Sequence, residues 1–174
     1  HYVDGYVVRS FMRTCFEGSA LPPREAIEAE FATVAARFGM DWELHDADRR
    51  CRVLVAVSRE GHCLNALLHR WSIGVLPIDL VGVVSNREAE RRLVEWYGVP
   101  FHHFPIEPGR KAEQEARLLA LFDESRADLL VLARYMQILS DAACGRLRGR
   151  CINIHHSFLP GFKGARPYHQ AHER

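Results

Sequence analysis

The sequence predicts an α/β protein: a mostly parallel sheet with helices on both faces, preceded by part of a smaller α+β domain. Three observations predict it. From residue 51 onward, short apolar runs alternate with longer amphipathic stretches, which is the rhythm of βαβ units. Residues 1–46 follow another pattern, strand, helix, strand, and are too short to bury a core alone. The polar run Asp46-Ala47-Asp48-Arg49-Arg50 separates the two, as a linker does. The expected domains are therefore residues 1–46 and 47–174.

In the first segment, residues 2–16 are rich in β-formers on two interleaved faces and predict a strand. Glu17-Gly18-Ser19 predicts a turn, and Pro22-Pro23 opens a helix, since proline suits the first helical position. Ile27, Phe31, Val34, Ala35 and Phe38 recur at helical spacing and form one apolar stripe. Gly39 follows as a left-handed cap. Residues 41–45 predict one more strand.

In the second segment the strands are expected at 52–57, 78–84, 101–104, 128–133 and 151–154. Helices are expected at 62–71, 87–96 (ended by Gly98), 110–124 and 141–147. Leu118, Leu119 and Phe122 mark the buried side of the third of these helices. There is no internal repeat and no low-complexity stretch. In open sheets of this kind, ligands bind beyond the carboxyl ends of the strands. Residues 58–61, 134–139 and 155–167 are the turns expected there.

Composition excludes several classes of function. The 174 residues are 48% hydrophobic and 26% charged, with a formal net charge of +1. That balance fits a soluble globular chain and gives no electrostatic case for nucleic acid or an anionic membrane. No apolar run approaches the roughly 18 residues that span a bilayer. No signal peptide leads the sequence and the first residue is His, so a piece of a longer protein is expected. Cys15, Cys51, Cys63, Cys144 and Cys151 are odd in number and form no C-x-x-C pair. They read as reduced, buried thiols of a cytoplasmic protein.

Residues 151–174 carry the strongest chemical signal. The strand 151–154 runs straight into two histidines, a Leu-Pro, glycines and an Arg-Pro. Residues i and i+2 of a strand share a face, so Asn153 and His155 are neighbours, with Ile152 and Ile154 directed into apolar packing. An amide and an imidazole at a strand end can polarise one carbonyl together. A satisfied core histidine is the bland alternative, but here the strand has ended and a loop of unusual length follows. His155, His156, His169 and His172 invite a metal, yet no ligand spacing such as H-E-x-x-H accompanies them, and no metal is expected. Ser58-Arg59-Glu60-Gly61 stands where a phosphate loop would, but with one glycine it reads as an ordinary βα turn. Residues 134–139 are either a connecting turn or a wall for a flat apolar ligand, with backbone groups free to meet its edge.

Asn153-Ile154-His155 followed by Ser157-Phe158-Leu159-Pro160 resembles the N-x-H…S-x-L-P signature of the formyltransferase fold, which uses 10-formyltetrahydrofolate. The run HHSFLPGFKGARPYHQAHER is closer still to the formyltetrahydrofolate deformylases. Residues 1–46 resemble the second half of a ferredoxin-like ACT domain, and residues from about 50 resemble the start of the catalytic domain. The resemblance implies a Rossmann-like fold and hydrolysis of 10-formyltetrahydrofolate to formate and tetrahydrofolate, balancing one-carbon folate pools for purine synthesis. It implies no cofactor, the folate being the substrate. A homo-oligomer and an amino-acid effector at the ACT domain are further expectations.

The same resemblance puts the catalytic Asn and His on Asn153 and His155. It puts the folate-pocket strand end on Tyr135, Met136, Gln137, Ile138 and Leu139. The glycine-rich phosphate loop of the glycinamide ribonucleotide transferases is replaced by Ser58-Arg59-Glu60-Gly61-His62, as in the deformylases. The family's aspartate falls in a segment after Arg174, so the chain is expected to be truncated at both ends and nearly inert by itself. At Leu159-Pro160 a cis bond is weighed against a trans one, and Glu173 is a poor substitute for the aspartate. The alternatives are a transferase of the same fold that passes formyl to an amine, and a folate-binding regulatory fragment without turnover.

Overall fold

The computed structural model describes residues 2–4 and 7–154. His155, His156, Leu159-Pro160, His169, His172 and Glu173 therefore lie outside the described residues. The chain divides into two compact units between Arg49 and Arg50.

The first unit holds strands β1 (Tyr2–Asp4) and β2 (Val7–Arg9), paired antiparallel, and helix α1 (Arg24–Phe38). The expected strand at 2–16 is thus two short strands, and residues 10–16 have no regular structure. Nor do residues 41–45 form a strand. Their alternation is real, but the inward residues rest on the helix: Trp42 meets Phe31 edge to face at 4.9 Å, and the Leu44 carbonyl accepts from Arg24 Nη2 at 2.7 Å. A strand needs a neighbour for its ladder, and the helix cannot supply one. Gly39 caps α1 at φ 59°, with the Met40 N–H donating to the Ala35 carbonyl at 2.9 Å, as its position predicts. The apolar stripe is only partly buried: Phe31, Val34 and Phe38 are 38%, 44% and 66% exposed.

The second unit is a five-stranded parallel sheet in the order β5-β4-β3-β6-β7. The strands are β3 (Cys51–Val57), β4 (Ile78–Ser85), β5 (Phe101–His103), β6 (Leu129–Ala133) and β7 (Cys151–Asn153). They alternate with α2 (His62–Ser72), α3 (Arg91–Trp96), α4 (Lys111–Glu124) and α5 (Asp141–Arg146). The chain starts at the centre, winds to β5, then crosses back past β3 to β6 and β7. This makes a topological switch point between β3 and β6.

Both faces of the sheet are covered, as expected. On one, Leu54, Ala56, Leu130 and Leu132 pack against Leu118 and Phe122 of α4. On the other, Val53, Val55 and Val83 pack against Leu64 and Leu68 of α2 and Val94 of α3. The central strands are apolar on both sides along most of their length because both sides are buried there. Arg52 ties the sheet to the end of α4, its guanidinium donating to the carbonyls of Ser125 (2.9 Å) and Arg126 (3.1 Å).

Two expectations are corrected. Helix α3 begins at Arg91 rather than residue 87, because residues 86–90 turn before it starts. All five cysteines are free, but none is fully buried: Cys15 and Cys144 are exposed and the others half-buried. Cys15 lies in the irregular stretch after β2, and Cys144 is on the outer side of the short α5, so neither has a core to enter.

Candidate functional site at the carboxyl ends of the strands

The site is built around the switch point. Val57 and Ala133 pair as the last residues of β3 and β6, so Ser58 and Arg134 leave the sheet side by side. Ser58 is buried, and its hydroxyl accepts the Met136 N–H at 3.1 Å. Arg134 takes a left-handed φ of 60°, uncommon outside glycine, and so turns the chain sharply off β6. The Gln137 N–H then donates to the Tyr135 carbonyl at 2.8 Å.

Helix α4 holds the loop at both ends. Gln114 Nε2 donates to the Tyr135 hydroxyl at 2.5 Å. The Glu115 carboxylate accepts from the Ser140 N–H at 2.8 Å and from the Ser140 hydroxyl. That hydroxyl in turn accepts the Ala143 N–H at 3.2 Å as the N-cap of α5. Burial pushes the Tyr135 phenol up, with Glu115 adding to the rise while the Gln114 hydrogen bond opposes it. Buried polar groups are costly unless paired. Four buried polar residues occur among those described, and three of them, Ser58, Gln114 and Glu115, hold this one loop.

Each expected pocket residue now has a place. Tyr135 is buried and anchors the loop, so only its backbone can face a ligand. Met136 and Ile138 are exposed, while Gln137 and Leu139 are half-buried. The backbone N–H groups of Ile138 and Leu139 have no hydrogen-bond partner among the described residues. The loop can thus offer backbone donors and apolar side chains to the edge of a flat ligand.

Asn153 ends β7 directly opposite Leu132, and the Ile154 N–H donates to the Leu132 carbonyl at 3.1 Å. Alternation puts Asn153 on the same side of the sheet as Cys151, which packs against the α4 cluster. Its amide therefore stands one strand away from the 135–139 loop, exposed at the carboxyl end. Ile152 and Ile154 face the other way but are 53% and 38% exposed. This corrects the expected apolar packing: α2 and α3 cover the middle of that face and do not reach β7. Its partner His155 lies outside the described residues. The described residues bring together no group of three metal-binding side chains.

Sequence reasoning put Ser58 in a turn at this end of the sheet but missed Gln114 and Glu115, for which a signal existed. Gln114, Leu118 and Phe122 recur at i, i+4 and i+8, so Gln114 is a polar residue on an apolar stripe, with Glu115 beside it.

A family model described as formyl transferase matches residues 51–174. The formyltetrahydrofolate deformylase of Corynebacterium sp. is 52% identical over 174 residues, 99% of this chain and 61% of that protein. A crystal structure of formyltetrahydrofolate deformylase from Burkholderia mallei is 54% identical with a TM-score of 0.74, over 86% of this chain and 53% of that one. The phosphoribosylglycinamide formyltransferase of Brucella melitensis is 29% identical with a TM-score of 0.65, over 72% of this chain and 67% of that one. The chain thus spans less than two thirds of the length of the deformylases it matches. Since the matched residues include all five parallel strands, the loop after β6 and Asn153, the chain belongs to the formyl transferase family.

Proposed function

We propose that this chain is part of an enzyme that hydrolyses 10-formyltetrahydrofolate to formate and tetrahydrofolate. The observation that carries this reading is the 52% identity, along essentially the whole chain, to a formyltetrahydrofolate deformylase. The architecture supports it: a loop whose Ile138 and Leu139 N–H groups have no partner among the described residues, and an amide side chain, flank the carboxyl end of β6.

The pterin edge lies along the backbone of Tyr135, Met136, Gln137, Ile138 and Leu139. Water adds to the formyl carbon and loses one proton to solvent, while the carbonyl oxygen takes the electron pair of the π bond. The Asn153 amide donates a hydrogen bond to that oxyanion, and a protonated His155 donates a second. When the tetrahedral carbon collapses, the oxyanion's electron pair re-forms the carbonyl, the bond to the folate nitrogen breaks and His155 gives that nitrogen its proton. Formic acid loses its proton as it leaves, which returns His155 to its protonated form, and formate and tetrahydrofolate depart. No metal and no cofactor enters the reaction. We place the protein in the cytoplasm; no helix among the described residues is long and apolar enough to cross a membrane. Residues 1–46 are read as an ACT-like regulatory domain, with an amino acid as effector and pairing of protomers as its role.

The test is formate release from 10-formyltetrahydrofolate by the protein that carries this sequence, with no amine present. Turnover without an acceptor supports hydrolysis. Turnover that requires an added amine selects a transferase, and tight folate binding without formate selects a regulatory role.

A further inference from the structure

Arg126 and Arg134 are the non-glycine residues with a left-handed φ among those described. Arg126 has a structural reason: it closes α4, where its own N–H donates to the Asp123 carbonyl at 2.9 Å and the Ala127 N–H to the Phe122 carbonyl at 3.1 Å. Arg134 follows a strand and closes no helix. The turn it makes is held by its neighbours, through Met136 to Ser58 and Gln137 to Tyr135. Glycine would make the same turn without strain. The side chain is therefore what the strained backbone is kept for.

That side chain is the odd one at this end of the sheet. Ser58, Gln114 and Glu115 are all paired. Arg134 is half-buried, and its Nε is fully buried with no hydrogen-bond partner among the described residues. The other such atom, Asn86 Oδ1, belongs to a neutral amide. A guanidinium keeps its charge at any working pH and carries five N–H donors in a fixed fork. Such a donor is costly to leave buried and unpaired. The partner that fits it best is a carboxylate, whose two oxygens accept two parallel N–H bonds. Arg134 stands two residues beyond Leu132, which pairs with Asn153 on the neighbouring strand. Strand geometry puts its α-carbon about 7 Å along β6 and about 5 Å across from that of Asn153. An arginine side chain spans that separation.

Hydrolysis of a formyl group passes through a carbon bearing two oxygens and ends on a carboxylate. Asn153 and His155 hold the oxygen that was the carbonyl's. We propose that Arg134 is a further catalytic residue: its guanidinium holds the oxygen that water brings to the formyl carbon, and then the carboxylate of the formate released. This rests on the hydrolytic reading above. Arg134 donates N–H bonds throughout and gives up no proton. Water still loses its proton to solvent and formic acid still loses its own, both more readily beside a fixed positive charge. The folate carries carboxylates too, in its glutamate tail, so the experiment has to separate the two sources.

The experiment uses the complete protein that carries this sequence, with carbon-13-labelled formate as the probe. The native protein is expected to bind formate saturably, read from the line width of the formate resonance. Arg134→Gly is expected to bind it at least about tenfold more weakly, roughly one decade in Kd. In that variant kcat should fall by about 10² or more, while KM for 10-formyltetrahydrofolate and Kd for tetrahydrofolate hardly change. Its Tm should not fall, because glycine relieves the left-handed φ and removes a buried unpaired charge. Arg134→Lys keeps the charge without the fork and should recover part of the formate affinity. A native protein that binds no formate, or a variant that binds it as well as the native protein, overturns the proposal. So does an Arg134→Gly that melts lower or fails to fold, since the guanidinium is then structural. Weaker tetrahydrofolate binding with formate binding unchanged also overturns it, and assigns Arg134 to the glutamate carboxylates of the folate. The formate titration needs no turnover. A protein that releases no formate would defeat the hydrolytic reading, and the titration would still decide whether Arg134 holds a carboxylate.

Discussion

At the scale of single residues, the candidate site depends on where polar side chains leave the sheet. The strand pattern at 151–154 placed Asn153 near a strand end, and the structure puts it there, exposed as the last residue of β7. In the complete protein, Asn153→Ala is expected to lower kcat by about 10²–10³ with little change in KM, since an oxyanion donor acts mainly in the transition state. Steady-state kinetics check this, and a variant that keeps half its activity would remove Asn153 from the oxyanion site. The hydrogen bond between Ser58 and Met136 was not legible, because the two residues are 78 positions apart and only the fold joins them.

The elements were easier to read than the contacts between them. The central strands β3, β4 and β6 announced themselves as runs rich in Val, Ile and Leu, because burial on both faces leaves little polar alternation to confuse them, whereas β5 and β7 are short and carry no such run. The strand expected at 41–45 failed where pattern is weakest, in a segment whose inward residues pack on a helix. Helix α4 is the element on which the loop after β6 depends. In Glu115→Ala, the Ser140 N–H and hydroxyl lose their acceptor, at a cost of about 1–3 kcal/mol. Thermal unfolding should show this loss, and KM for the folate should rise more than kcat falls. Glu115→Gln keeps one acceptor oxygen and should recover part of both. Unchanged KM in a folded Glu115→Ala would mean that the loop does not shape the pocket.

Strand β5 makes a pH prediction. Burial pushes the His102 imidazole below its ordinary value of 6.5, and its ring lies over the space left by Gly82 of β4. The folded state therefore holds neutral His102 more readily than the unfolded chain does. Its contribution to stability is fully present above pH 6.5 and is lost as pH falls through the lowered folded value. Melting temperatures across that range should fall more for the native protein than for His102→Leu. Parallel curves for the two would show that His102 does not link folding to pH.

At the scale of the whole molecule, burial is divided very unevenly between the two units. The second unit has two apolar clusters on the faces of one sheet, with Leu54, Val57, Leu64, Leu68, Val83 and Leu130 fully buried. In the first unit, Ala35 is the one buried residue among those whose exposure is described. The hydrophobic term scales with apolar area removed from water, at roughly 25 cal/mol per Å². A helix that leaves Phe31, Val34 and Phe38 only partly covered gains less from it, and cap geometry at Gly39 adds only a local term. The opening free energies should therefore differ sharply. Amides of β3 are expected to exchange hydrogen only through global unfolding, and those of α1 through cheap local opening. Hydrogen–deuterium exchange read by mass spectrometry should show α1 peptides exchanged while β3 peptides remain protected. Phe122→Ala, which empties the space under α4, should cost about 3–5 kcal/mol and speed β3 exchange accordingly. Protection of α1 equal to that of β3 would mean that its apolar stripe is covered in solution, and the weakness assigned to the first unit would have to be withdrawn.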